Sequence, residues 1–121
     1  MKSWKAWTLG IGIAVTSATV AAQGYPERPV RLVVAYPAGG PADIAARIVA
    51  EQVSRQWPQN IIVDNRPGAG GLIGTELVAN AAPDGYTLLL SGNNIAIAQA
   101  LAAEPRYDAT TSFAHVAQIA A

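Results

Sequence analysis

The 121-residue chain contains no cysteine, so no disulfide can staple it and no thiol is available for a lipid anchor. Lysine is nearly as scarce, because Lys2 and Lys5 are the only ones and none follows residue 22. Beyond that point six arginines face eight acids, a formal net charge of −2 (6 − 8). Such a balance leaves no basic footprint for nucleic acid or for an anionic membrane surface. A phosphate loop fails for want of G-K-[ST], and there is no G-x-S-x-G elbow. Neither a metal cluster nor a close pair of carboxylates set to act on a substrate is present. His115 stands alone, without a cysteine or second histidine nearby, and reads as a surface or strand-edge residue. These absences turn the reading away from catalysis and cofactor chemistry and towards binding.

No apolar run is long enough to span a bilayer. The longest, residues 6–20, is about 15 residues where a span needs about 20. It follows Lys2 and Lys5 and ends at Val20-Ala21-Ala22, the pattern of an export signal with a small-residue cleavage site and Gln23 as the first mature residue. Residues 1–22 are therefore expected to be a signal peptide. The remaining 99 residues (121 − 22) lie at the low end of single-domain length and can bury one modest core.

Residues 23–121 alternate strand-like and helix-like segments, the mark of a parallel α/β sheet flanked by helices. Residues 30–36 (VRLVVAY) are nearly continuous apolar and β-branched, as a strand covered on both faces should be. Residues 41–56 predict a helix with Ile44, Ala45, Ile48, Val49, Gln52 and Val53 inward, and Trp57 extending the stripe. Asp43, Arg47, Glu51 and Arg55 form a ladder of opposite charges on the other, solvated face. Pro41 suits the first helical turn and Pro58 bars continuation. Residues 60–66 (NIIVDNR) predict a second strand, and residues 71–81 a second helix with Leu72, Ile73, Leu77 and Val78 inward. Pro83-Asp84-Gly85 is a turn, residues 87–90 a third strand, residues 95–103 a short helix, and residues 116–121 the start of another strand.

If the strands are parallel, every strand-to-helix turn emerges at the carboxyl edge, where open α/β sheets bind ligands. Three turns then converge: Pro37-Ala38-Gly39-Gly40, Arg66-Pro67-Gly68-Ala69-Gly70-Gly71, and Ser91-Gly92-Asn93-Asn94. The first two lead into helices whose opening N–H groups are unpaired and carry partial positive charge. Glycine there lets a carboxylate or phosphate approach main-chain donors without meeting a Cβ, and no lysine is needed. An isolated Gly-Gly serves a tight turn equally well; two such turns and a polar third on one edge favour binding. Asp43 either fixes its turn and complements the helix dipole or accepts a hydrogen bond from a ligand. Ser91, Asn93 and Asn94 are turn formers that also suit the mouth of a polar pocket.

A dinucleotide enzyme is the competing use of such glycines. Gly68-Ala69-Gly70-Gly71-Leu72-Ile73-Gly74 is not G-x-G-x-x-G, because Ile73 stands where the third glycine belongs. It also follows the second strand, and no acidic strand end comes at the expected distance.

The blocks Tyr25-Pro26, Pro29-Val30-Arg31-Leu32-Val33-Val34, Tyr36-Pro37-Ala38-Gly39-Gly40 with Asp43, Val63-Asp64-Asn65-Arg66-Pro67-Gly68-Ala69-Gly70-Gly71 and Ala82-Pro83-Asp84-Gly85-Tyr86-Thr87-Leu88 occur in an order and spacing that carry a resemblance. The chain closely resembles the extracytoplasmic solute-binding proteins of tripartite tricarboxylate transporters, the Bug family. The resemblance implies the first lobe of a type II-like periplasmic binding protein, a small carboxylate ligand, membrane permease subunits as partners, no cofactor and no catalysis. It implies ligand contact at Pro37, Ala38, Gly39, Gly40 and Asp43 and at Ser91, Gly92 and Asn93, with Asn65, Arg66, Pro67, Gly68, Gly70 and Gly71 shaping the cleft side. Two departures stand out. Family members continue into a second lobe that this chain does not reach, so residues 23–121 are expected to be a partial, truncated lobe with an exposed sheet edge and apolar surface. The loop after the third strand also differs from the family's usual run. An independent exported α/β module that binds a partner through the open edge is the alternative reading.

Overall fold

The computed structural model describes residues 24–119; the expected export signal lies outside them. Three strands, β1 (Val30–Val34), β2 (Ile61–Asn65) and β3 (Thr87–Leu90), form one sheet in the order β2-β1-β3, and β1 pairs parallel with both neighbours. The register sets Leu32 between Val63 and Leu88, and Val34 between Asn65 and Leu90. Helix α1 (Pro41–Ser54) connects β1 to β2, helix α2 (Leu72–Ala79) connects β2 to β3, and helix α3 (Asn94–Leu101) follows β3. A single 3-10 turn, Ala69–Gly71, precedes α2.

Burial explains the composition of the strands. β1 is central, and Val30, Leu32, Val33, Val34 and the following Ala35 are all buried, as a strand with neighbours on both edges and cover on both faces must be. β2 and β3 are edge strands, and Ile62 of β2 is exposed. The strand ends two residues earlier than the apolar run, because Tyr36 has already left the ladder for the turn.

Helix α1 is rotated from its expected face, whereas α2 keeps Leu72, Leu77 and Val78 half-buried and turns out only Ile73 of its expected stripe. In α1 the buried residues are Asp43, Ala46 and Ala50, whereas Ile44 and Ile48 are 54% and 57% exposed. Ala45, Val49 and Val53 are half-buried as expected, and Gln52 is exposed. Small side chains at positions 46 and 50 let the helix sit close on β1, and the larger isoleucines are turned out; hydrophobicity alone favoured the bulkier stripe. Asp43 thus leaves the solvated ladder, although Asp43–Arg47 (3.0 Å) and Glu51–Arg55 (2.5 Å) do pair four residues apart. In α2 the buried residues are Gly74 and Thr75, and Ile73 is exposed. A Cβ on Gly74 would lie 2.8 Å from the Arg66 carbonyl oxygen and 3.1 Å from the Ala35 Cα. Glycine at this position therefore lets α2 pack backbone to backbone against the sheet.

The expected fourth strand does not form across its described part, since residues 116–119 carry no strand pairing. The chain instead turns back after α3: Tyr107 is buried, donates its hydroxyl to the Ile95 carbonyl at 2.7 Å and meets the Phe113 ring edge-on. Residues 112–119 then border an open apolar groove of ≈ 1320 Å³ shared with Ala45, Val49 and Val53 of α1 and Leu88 and Leu90 of β3. His115 is exposed, with its Nε2 3.2 Å from the Ala109 carbonyl oxygen. At the opposite, amino edge of the sheet Tyr25 packs on Trp57 and Tyr86, and Arg28 lies over the Tyr86 ring while pairing with Asp84 at 2.8 Å.

Candidate functional site

The parallel register sends the chain out of all three strands at the same edge, so the three glycine-bearing turns are neighbours. In the first, Gly39 takes a left-handed φ of +82° and Gly40 caps α1 from an extended conformation without any side-chain cap. The first-turn N–H groups of α1 are thus left without a capping side chain. Two donors of the turn are committed: Gly39 N–H donates to Asp43 Oδ2 at 2.8 Å, and Gly40 N–H to the Pro37 carbonyl oxygen at 3.4 Å. Arg47 Nε donates to both oxygens of the same carboxylate at 3.1 and 3.0 Å. The Arg47 guanidinium, then the Gly39 N–H and the Asn65 amide, hold the Asp43 carboxyl below the usual carboxylate range. With 3% of its surface exposed and these partners in place, Asp43 fixes the turn from beneath, while Pro37, Ala38 and Gly39 are exposed above it.

Asn65 joins the first turn to the end of β2. Its Nδ2 donates to the Tyr36 carbonyl at 3.2 Å, and its Oδ1 accepts from Arg47 Nη2 at 3.4 Å. The neighbouring Asp64 accepts from Arg31 and from Arg66, whose Nε lies 3.0 Å from Oδ1. Burial pushes the Asp64 carboxyl up, but the two guanidinium groups outweigh it and the net shift is downward. Arg66 is thereby folded back along β2.

The second turn is left-handed through four residues in a row: Gly68 (+127°), Ala69 (+48°), Gly70 (+66°) and Gly71 (+93°). Three of the four are glycine, as that stretch of backbone demands. Gly68 and Gly70 are exposed, and Gly71 is buried. A Cβ on Gly71 would lie 2.7 Å from the Asn94 Nδ2.

The third turn is where the edge is tied together. Asn94 Oδ1 accepts from Tyr36 Oη at 2.6 Å, from Gly92 N–H at 3.3 Å and from Ser91 Oγ at 3.4 Å, and Nδ2 donates to the Gly70 carbonyl. One amide thus reaches all three turns. Gly92 and Asn93 remain exposed beside it, and Ser91 is half-buried. The sequence marks Asn94 as a turn former suited to the mouth of a polar pocket and gives no sign of its pairing with the Tyr36 side chain; the two lie 58 positions apart, and no local pattern could pair them.

The expected residues therefore separate into two groups. Pro37, Ala38, Gly39, Gly92 and Asn93, with Arg66, Pro67, Gly68 and Gly70, lie on the exposed edge, and Gly40 and Ser91 line it half-buried. Asp43 and Gly71 are buried supports, and Asn65 braces the first turn against β2. The edge offers main-chain N–H donors and small polar groups above carboxylates already neutralised by arginine, an arrangement suited to a ligand rich in acceptor oxygens. Among the described residues no group of three or more histidine, aspartate or glutamate side chains is placed to hold a metal ion, and no helix is long and apolar enough to cross a membrane.

Comparison with known proteins agrees with this geometry. The profile described as "Tripartite tricarboxylate transporter family receptor" matches residues 45–121. Protein BugT of Bordetella pertussis is 43% identical over 99 residues, covering 80% of this chain and 30% of that protein. The solved periplasmic binding protein BugD superposes with a TM-score of 0.70 at 47% identity, over 74% of this chain and 30% of its own. An R. palustris protein solved with adipate superposes with a TM-score of 0.67 at 34% identity, over 72% of this chain and 29% of its own. The chain thus spans about 30% of the length of the relatives it matches, and the part it spans is their parallel-sheet first lobe. The chain belongs to the tripartite tricarboxylate transporter family receptors, the Bug-type solute-binding proteins.

Proposed function

We propose that residues 23–121 form one wall of the ligand cleft of a periplasmic receptor for a small carboxylate, exported by the signal in residues 1–22 and serving membrane permease subunits of a tripartite transporter. The observation that carries the reading is the convergence of the first and third turns at the uncapped N-terminus of α1. There the uncapped first helical N–H groups of α1, with the exposed Asn93, offer donors to a carboxylate. The adipate bound by the R. palustris relative is a small dicarboxylate and supports this ligand class. The opposing wall belongs to the remainder of such a receptor, so this chain alone is expected to hold its ligand weakly.

Gly74, the last glycine of the residue 68–74 run, has a packing reason in its close approach to Arg66 and Ala35. Titrating the isotope-labelled chain with malate, citrate, glutamate or adipate while recording amide NMR shifts tests the proposal. Perturbation centred on Gly39, Gly40, Ala42 and residues 91–93, weakened by Gly40→Ala, is the expected outcome. Perturbation confined to other surfaces, or none with any of these acids, would overturn it.

A further inference from the structure

We propose that Asn94 is the positioning residue that makes the three turns of the carboxyl edge act as one unit, so that ligand engagement at the first turn depends on the third. The geometry is specific to this side chain. Its Oδ1 accepts from Tyr36 in the first turn and from Ser91 and Gly92 in the third, while its Nδ2 donates to the Gly70 carbonyl in the second. Two glycines clear the space for it. A Cβ on Gly71 would lie 2.7 Å from Asn94 Nδ2, and one on Gly92 would lie 2.8 Å from Tyr36 Oη and 3.6 Å from Asn94 Oδ1. Gly71 also needs glycine for its φ of +93°, but Gly92 has no left-handed φ, so its lack of a side chain serves the contact itself. No other side chain among the hydrogen bonds described bridges three loops. Asp43, Arg47 and Asn65 together tie α1 and the first turn to β2 and reach neither of the other two loops through these hydrogen bonds.

An amide is needed because the site asks one side chain to accept on one side and donate on the other. Aspartate retains the acceptor towards Tyr36 and Gly92 but presents a second oxygen to the Gly70 carbonyl. Asn94→Asp therefore keeps turns one and three joined and releases turn two, whereas Asn94→Ala releases all three.

Native-state hydrogen exchange and malate titration of the wild-type chain and both variants decide the matter; only the affinity arm rests on the carboxylate reading above. With Asn94→Ala, exchange at Gly39 and Gly40 is expected to speed up about tenfold, and malate affinity to fall about tenfold, while sheet amides such as Val33 and Leu89 are unchanged. With Asn94→Asp, exchange is expected to rise at Gly71 but not at Gly39 and Gly40. Equal acceleration of turn and sheet amides would show a general loss of stability and overturn the proposal. So would wild-type exchange and affinity in Asn94→Ala. If the wild-type chain binds no acid, the carboxylate reading fails, and the exchange pattern still decides the role of Asn94.

Discussion

Tyr36 Oη donates to Asn94 Oδ1 at 2.6 Å, across a gap in which Gly92 supplies no side chain. A Cβ at position 92 would meet the Tyr36 hydroxyl at 2.8 Å and the ring carbon behind it at 3.9 Å. Gly92→Ala should therefore destabilise the fold by about 1 to 3 kcal/mol, as overpacking does. Most of that cost should vanish in a Tyr36→Phe background, where the clashing oxygen is gone. Urea denaturation of the two single variants and the double variant measures the coupling; strict additivity would contradict the geometry.

Gly74 and Gly40 should respond differently to the same substitution. Inside a helix, propensity favours alanine over glycine by about 0.5 to 1 kcal/mol. At Gly74, however, the added Cβ meets backbone at 2.8 and 3.1 Å, which cannot swing aside. Gly74→Ala should be a net loss of at least about 1 kcal/mol. At Gly40 only the Pro37 carbonyl oxygen lies near, at 3.4 Å, so Gly40→Ala should cost under about 1 kcal/mol as a poorer helix cap. Denaturation midpoints rank the two.

The rotation of α1 is open to direct test. Ile44 and Ile48 face outward, so Ile44→Gln and Ile48→Gln should each change stability by no more than about 0.5 kcal/mol. Ala46→Leu, which forces volume between α1 and β1, should cost about 1 to 3 kcal/mol. Thermal unfolding with the reverse ranking would restore the face that hydrophobicity favoured.

Acid should unfold the chain through its paired carboxylates. The hydroxyl of Thr110, then the N–H groups of Thr110 and Thr111, lower Asp108 to about 2. Asp43 and Asp64 are lowered by their arginine partners, against burial in both cases. A folded pKa below the unfolded value of about 3.9 means that the unfolded chain binds more protons in this window. The stabilisation is therefore full above pH about 4 to 5 and is lost as pH falls through the folded values, towards about 2 for Asp108. Asp108→Asn should flatten the most acidic part of the stability profile, and circular dichroism followed against pH checks it.

Local signals carried most of what could be read in advance. The β-branched run of β1, the glycines of the first two turns and Pro41 at the start of α1 lie within a few residues of what they control. Element order and the carboxyl-edge cluster followed from them, as did the fold class. Residues 116–119 have strand-like composition but no ladder partner, because composition says nothing about which edge is available.

The sequence by itself determined the alternation of strands and helices, the position of the turns and the family, because periodicity, proline and glycine act over one or two turns of chain. Tertiary structure alone decided that Ala46 and Ala50, not Ile44 and Ile48, meet the sheet, because close packing selects by distance as well as hydrophobicity. It also turned Asp43 from a solvated charge into a buried support, and Asn94 from a turn former into the tie between three loops. Asn94 meets Gly70 and Tyr36 across 24 and 58 positions of sequence, and only a folded parallel sheet brings such residues within hydrogen-bonding reach.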